Sequence, residues 1–139
     1  MTRHRNYRLI PVLAALAVAT GCTNPAQSED AARGTYLLET VNGAEPPVTV
    51  EQGAAGTTEI TDGAVRLEGS GDCSFERTLR VTSGGSTTTS VDAHACTWLR
   101  NGSALFLTLA DGGALPTTYD ETRGSIALTY QGIDMVFVR

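Results

Sequence analysis

The residues best equipped for chemistry in this chain of 139 residues lie in two short stretches, Cys73 to Arg77 and Asp92 to Trp98. Between them stands Ser83-Gly84-Gly85-Ser86, a turn signal. Folding the chain symmetrically about that turn sets Cys73 opposite Cys96, Phe75 opposite His94, Arg77 opposite Asp92, Leu79 opposite Ser90 and Val81 opposite Thr88. Strand side chains alternate between faces, so Phe75, Arg77, Leu79, Asp92, His94 and both cysteines share one face. On an interior face, Arg77 and Asp92 would form a buried ion pair beside an imidazole, a polar anchor at the floor of a ligand cavity. The planar guanidinium suits that place because it can engage a carboxylate through two bonds. The competing reading is structural: an ion pair at a barrel mouth, or an outer-face pair exposed by a bulge. Trp98, the only Trp, either stacks on a ligand or fills core volume opposite Leu105. The ligand-binding candidates are therefore Phe75, Arg77, Asp92, His94, Trp98 and Leu105.

Catalytic constellations are missing, and no enzyme activity is expected. A Ser-His-Asp triad needs a base between nucleophile and carboxylate. His94 is the only His after the first few residues, and there is no Gly-x-Ser-x-Gly elbow. No His-x-x-x-His occurs to start a zinc site. Neither metal nor cofactor is expected.

The chain opens with Arg3, Arg5 and Arg8, followed by an apolar run from Leu9 to Ala19 and then Thr20-Gly21-Cys22. That order is a secretory signal peptide, too short and wrongly flanked to span a membrane. The small residue before a cysteine resembles the lipobox of bacterial lipoproteins. The resemblance implies cleavage before Cys22 and lipidation of its thiol, with residues 1–21 removed. It also implies outer-membrane attachment facing the periplasm in a Gram-negative host, because Thr23 rather than Asp follows the cysteine. Residues 22–33 are polar and small and read as a tether, and 34–139 as one domain. With Cys22 lipidated, Cys73 and Cys96 remain. An exported compartment is oxidising, so a disulfide is expected, with two free buried thiols as the alternative. A cross-strand disulfide is easier at a non-hydrogen-bonded pair, which favours a four-residue loop at Ser83–Ser86.

All ten basic residues are Arg, and three lie before Cys22, leaving seven Arg against 15 acids, a net charge of −8. Such a surface repels nucleic acid and gains nothing from anionic headgroups, so the acyl chains would have to hold the membrane.

Beyond Gly34 the sequence reads as strands: Thr35–Val41, Thr57–Thr61, Ala64–Gly69, Cys73–Thr82, Thr87–Leu99, Ala104–Ala110, Ala114–Tyr119, Ser125–Tyr130 and Ile133–Val138, with a short piece at Val48–Glu51. Asp62-Gly63, Asn101-Gly102 and Gln131-Gly132 read as two-residue hairpin turns. They set Ile60 opposite Val65, Trp98 opposite Leu105 and Tyr130 opposite Ile133. Eight to ten strands joined by hairpins make an up-and-down meander. Pairing its first and last strands removes the bare edges, so a closed antiparallel barrel is expected.

Gly34-Thr-Tyr-Leu-Leu-Glu-Thr-Val-Asn-Gly43, then Pro46-Pro47 and hairpins to the end, resembles the bacterial lipocalin-like proteins of the calycin group. Cys96-Thr97-Trp98, Asn101-Gly102 and the alternating Leu after it look like their middle hairpin. The closed topology with inward Leu, Ile, Phe and Trp leads to the expectation of a lipocalin-like barrel that binds a small apolar molecule, as a monomer. The alternative is a periplasmic interaction module that inhibits lysozyme or a protease, its acidic surface steering a basic partner.

Overall fold

The structure, a computed structural model, describes residues 31–139. The signal peptide, Cys22 and the first part of the tether lie outside the described residues. Ten strands follow one another: β1 (Gly34–Val41), β2 (Val48–Gly53), β3 (Gly56–Leu67), β4 (Asp72–Ser83), β5 (Ser86–Asn101), β6 (Ala104–Leu109), β7 (Ala114–Leu115), β8 (Thr117–Asp120), β9 (Ser125–Tyr130) and β10 (Ile133–Val138). They form one antiparallel sheet in the order β7-β6-β5-β4-β3-β1-β10-β9-β8, with β2 as a side strand on β3. The first strand pairs with the last, Leu37 opposite Val138 and Val41 opposite Met135. The sheet thus curls into a nearly closed, up-and-down barrel.

Alternation explains the inside. On β4, β5 and β6, Cys73, Phe75, Cys96, Trp98, Leu105, Leu107 and Leu109 are buried, and the residues between them are more exposed. Phe75 meets Phe137 edge to face at 6.2 Å, and Tyr36 meets Tyr119 at 6.5 Å across the barrel. Tyr36, Phe75, Ile126, Met135 and Phe137 are essentially inaccessible, so side chains fill the interior.

Two of the expected hairpins form in the expected register. Gln131 and Gly132 both have positive φ, and Tyr130, Leu128 and Ile126 face Ile133, Met135 and Phe137. In the β4–β5 hairpin every pair falls as the Ser83–Ser86 fold sets it, and Cys73 and Cys96 form a disulfide with Cα atoms 4.8 Å apart. The loop is shorter than expected. Ser83 pairs with Ser86 and only Gly84 and Gly85 turn, both at positive φ, as a type I′ turn demands.

Three elements differ from the expectation. Asp62-Gly63 is not a turn but part of the continuous strand β3, beside a bulge between Ile60 and Asp62. Gly63 lacks the positive φ a hairpin would need, and Asp62 Oδ1 accepts its N–H at 2.8 Å. A two-residue turn and a one-residue bulge both bring Ile60 and Val65 to the same face, so alternation alone does not separate them. At the β5–β6 hairpin the turn is Gly102-Ser103, so Trp98 faces Leu107 and Leu105 faces Arg100. Moving a turn by one residue shifts the register by two and leaves the inward set intact. The strand expected at Ala114–Tyr119 is broken at Pro116. Its start pairs with β6 and its end with β9, because Pro has no N–H to continue a ladder.

The last residues of the expected tether belong to the fold. Ala32 is fully buried, and its carbonyl accepts the Tyr36 hydroxyl. Tyr119 O–H donates to Ala31 O at 3.2 Å, and Arg139 Nη1 donates to the carbonyls of Ala31 and Arg33, each at 3.1 Å. Burial, with the Tyr119 hydroxyl beside it, holds the Tyr36 phenol well above the ordinary tyrosine range. These contacts cap one end of the barrel.

A Cβ on Gly63 would stand 2.9 Å from the Glu76 carbonyl oxygen and 3.4 Å from Phe137. Gly63→Ala is therefore expected to destabilise the barrel by about 1–3 kcal/mol, read from denaturant unfolding. Replacing both Cys73 and Cys96 by Ala should cost about 3 kcal/mol in the same measurement, since the bond closes a separation of 23 residues.

Candidate functional site

The best-organised polar cluster lies at the barrel end that carries the Gln131-Gly132 turn. Inward alternation along β4 places Arg77 two residues beyond Phe75, where the core meets this mouth. The Arg77 side chain is only 5% exposed, against 28% for Asp92 and 26% for His94. Arg77 Nε donates to Asp92 Oδ2 at 2.9 Å and Nη2 to Gln131 Oε1 at 2.6 Å. Its guanidinium lies 4.7 Å from the centre of the Tyr130 ring, within cation–π range. The other carboxylate oxygen of Asp92 is 2.9 Å from His94 Nε2, which is 3.1 Å from the Tyr130 hydroxyl. The His94 ring stacks on Phe75 at 5.9 Å, and Tyr130 meets Phe75 edge to face at 5.3 Å.

Four of the six sequence candidates therefore converge: Phe75, Arg77, Asp92 and His94. The ion pair is interior on the Arg side and reaches solvent through Asp92, so it lies at the barrel mouth. Tyr130 and Gln131 complete the cluster. Sequence reasoning treated them only as a strand end and a turn, because their approach to Arg77 depends on how far the sheet curls. Arg77 and Gln131 border an open cleft of about 440 Å³, which Asn42, Val50, Glu51 and Ile133 also line.

Trp98 and Leu105 are elsewhere. Trp98 is 7% exposed, faces Leu107 and donates its indole N–H to Glu68 O at 2.8 Å, closing the β3–β4 turn. It is core. Leu105 lines a second cleft, of about 780 Å³, on the seam where the chain breaks at Pro116. Residues 104–106, 114–118, 127–129 and 134–136 surround it, among them Leu115, Leu128, Met135 and the half-exposed Phe106. β6 and β9 have only the bent segment Ala114–Asp120 between them, and each pairs with one half of it. The cleft is the opening this leaves. Pro116, which cannot continue a ladder, was the sequence signal that could have located it.

Among the described residues, no group of three or more His, Cys, Asp or Glu is placed to hold a metal ion. In comparisons with known proteins, no family model, no curated protein and no solved structure matches the chain.

The buried guanidinium makes a double-substitution cycle informative. Asp92→Leu alone leaves Arg77 without its carboxylate and is expected to cost about 2 kcal/mol, less than for a fully buried pair because Asp92 reaches solvent. Arg77→Leu with Asp92→Leu should cost less than the two single changes summed, read from thermal and urea unfolding. Additive costs would show that the two side chains are not coupled.

Proposed function

We propose that this chain is a lipid-anchored cell-envelope protein whose barrel binds a small apolar molecule in the seam cleft at Pro116. The cleft is the observation that carries the reading. Its volume, about 780 Å³, falls in the range of small-molecule sites, roughly 300–1,000 Å³. Its lining is mostly apolar, with Thr117, Thr118, Thr129 and Asp134 as the polar groups that could orient an occupant. The barrel interior is filled by its own side chains, so the binding place is moved from the centre to the wall. The mouth cluster around Arg77 then has a supporting role: it fixes the β9–β10 turn and hence one border of the cleft. The lipobox-like run ending in Thr20-Gly21-Cys22 supports the envelope location, and lipidation of Cys22 would keep the barrel near lipid, a source of apolar ligands.

Uptake of an environment-sensitive apolar dye by the purified protein tests the reading. Ala127 lines the cleft and is half-buried on its outer wall. Ala127→Trp is expected to reduce dye affinity by roughly tenfold or more through lost volume, with unfolding temperature little changed, and wild-type uptake should be insensitive to salt. Dye binding unaffected by the substitution would remove the cleft as the site. Salt-sensitive capture of a basic protein without dye uptake would favour the inhibitor-like alternative instead.

A further inference from the structure

The β4–β5 hairpin runs beyond β6, while β3 accompanies β4 as far as Thr82. β6 pairs only with the stretch of β5 from Cys96 to Asn101. From Ser86 to His94, β5 has β4 on one side and, among the described residues, no strand on the other. Two hydrogen bonds fix which backbone groups face outward. Trp98 N–H donates to Gly71 O at 2.8 Å, on the β4 side, and Ala95 O accepts from Ala110 N–H at 3.0 Å, on the β6 side. Bonding alternates along an antiparallel ladder, so even-numbered residues of β5 bond to β4 and odd-numbered residues point away. Thr87, Thr89 and Val91 therefore present their N–H and C=O groups to the open edge.

Proteins ordinarily block such an edge with charge, proline or a bulge. The side strand β2 is blocked in this way: it follows Pro46-Pro47, carries Glu51 and bulges between Thr49 and Glu51. The β5 edge has none of these. No ionisable residue occurs from Val81 to Val91, the register is unbroken from Ser83 to Asp72, and the side chains from Ser86 to Val91 are all exposed. Its sequence is also symmetric: Ser86-Thr87-Thr88-Thr89-Ser90 reads the same in both directions.

We propose that this edge pairs with the same edge of a second copy, forming a two-fold antiparallel β5–β5 ladder centred on Thr88. A two-fold interface requires that residue i meet j and j meet i. The symmetric stretch satisfies this with like side chains throughout. Thr88 meets Thr88 of the second copy, Thr87 meets its Thr89, and Ser86 meets its Ser90. Thr87 and Thr89 are the residues whose backbone groups point outward, so they exchange the hydrogen bonds, and Thr88 falls at the close non-hydrogen-bonded position. Hydroxyl pairs of this kind are favourable across strands. The neutral tip lets two net-acidic molecules meet without like charges in contact. A peptide from an unrelated protein would have no use for the symmetry, which is why a second copy is the fitting occupant. This dimer stands in place of the monomer expected from the sequence, and it is independent of the seam cleft.

Sedimentation equilibrium of the purified protein from micromolar to millimolar concentration tests the proposal. The mass should rise from one chain toward two, more readily at high salt, which screens the repulsion between the acidic bodies. Thr89→Pro removes an N–H that points away from β4, a position where edge strands accept proline. It should weaken association by roughly tenfold or more while the unfolding temperature stays close to wild type. Thr89→Lys, which keeps the N–H and adds an edge charge, should weaken association as well. Under mild oxidation Thr88→Cys should link two chains efficiently, and Ser86→Cys, which meets Ser90 of the other copy, should not. A wild-type protein that remains a single chain at millimolar concentration would overturn the proposal. So would a Thr89→Pro variant that folds and associates like wild type, and efficient linking by Ser86→Cys in place of Thr88→Cys would overturn the register.

Discussion

The ladder between β1 and β10 is the interaction on which the rest of this molecule depends. An antiparallel meander has two bare edges and one apolar face that must be covered. Pairing Leu37 with Val138 and Val41 with Met135 removes the first and last edges together. It also folds the apolar face against itself, so Phe137 of β10 reaches Phe75 of β4 and Tyr36 of β1 reaches Tyr119 of β8. Without that ladder the inward residues of each strand would face water, and Ala32 would have no closed end to plug.

Closure is incomplete, and each departure follows from strands of unequal length or from a residue that cannot continue a ladder. Pro116 has no N–H, so the strand that should join β6 to β9 pairs with each in turn and leaves the apolar cleft between them. β5 is longer than β6, so the β4–β5 hairpin extends past β6 and exposes an edge of β5. The polar mouth is a third consequence. Past Phe75 the inward positions of β4 and β5 leave the packed core, and Arg77, Asp92 and His94 occupy them in a network that Tyr130 and Gln131 complete. Function in this barrel is thus most reasonably sought where the regular pattern stops.

Most of the strand framework was legible because its signals are local. Positive-φ turn residues at Gly84-Gly85 and Gln131-Gly132, with alternating apolar residues on either side, define two hairpins and the disulfide register within about two dozen residues of chain. The misreadings preserve the same information. At Asp62-Gly63 a bulge does what a turn would have done to the alternation, and at Gly102-Ser103 the turn moves by one residue without changing which side chains point in. In both places the inward set is robust and the connection is not, because face depends on parity alone whereas a turn depends on backbone dihedrals. Of the site candidates, Phe75, Arg77, Asp92 and His94 meet as folding about Ser83–Ser86 sets them. Trp98, on the same hairpin, and Leu105 also point inward, but height along the barrel separates them from that group.

The sequence by itself determined which side chains face the interior, which cysteines meet and that Arg77 lies across from Asp92, since each follows from alternation and from turns a few residues long. Tertiary structure alone decided that Tyr130 and Gln131 close around Arg77, that Ala31–Arg33 dock on the barrel end, that a cleft opens at Pro116 and that one edge of β5 has no neighbouring strand among the described residues. Those outcomes join residues far apart in the chain, and they depend on how far a twisted sheet must curl before its two ends come within hydrogen-bonding distance.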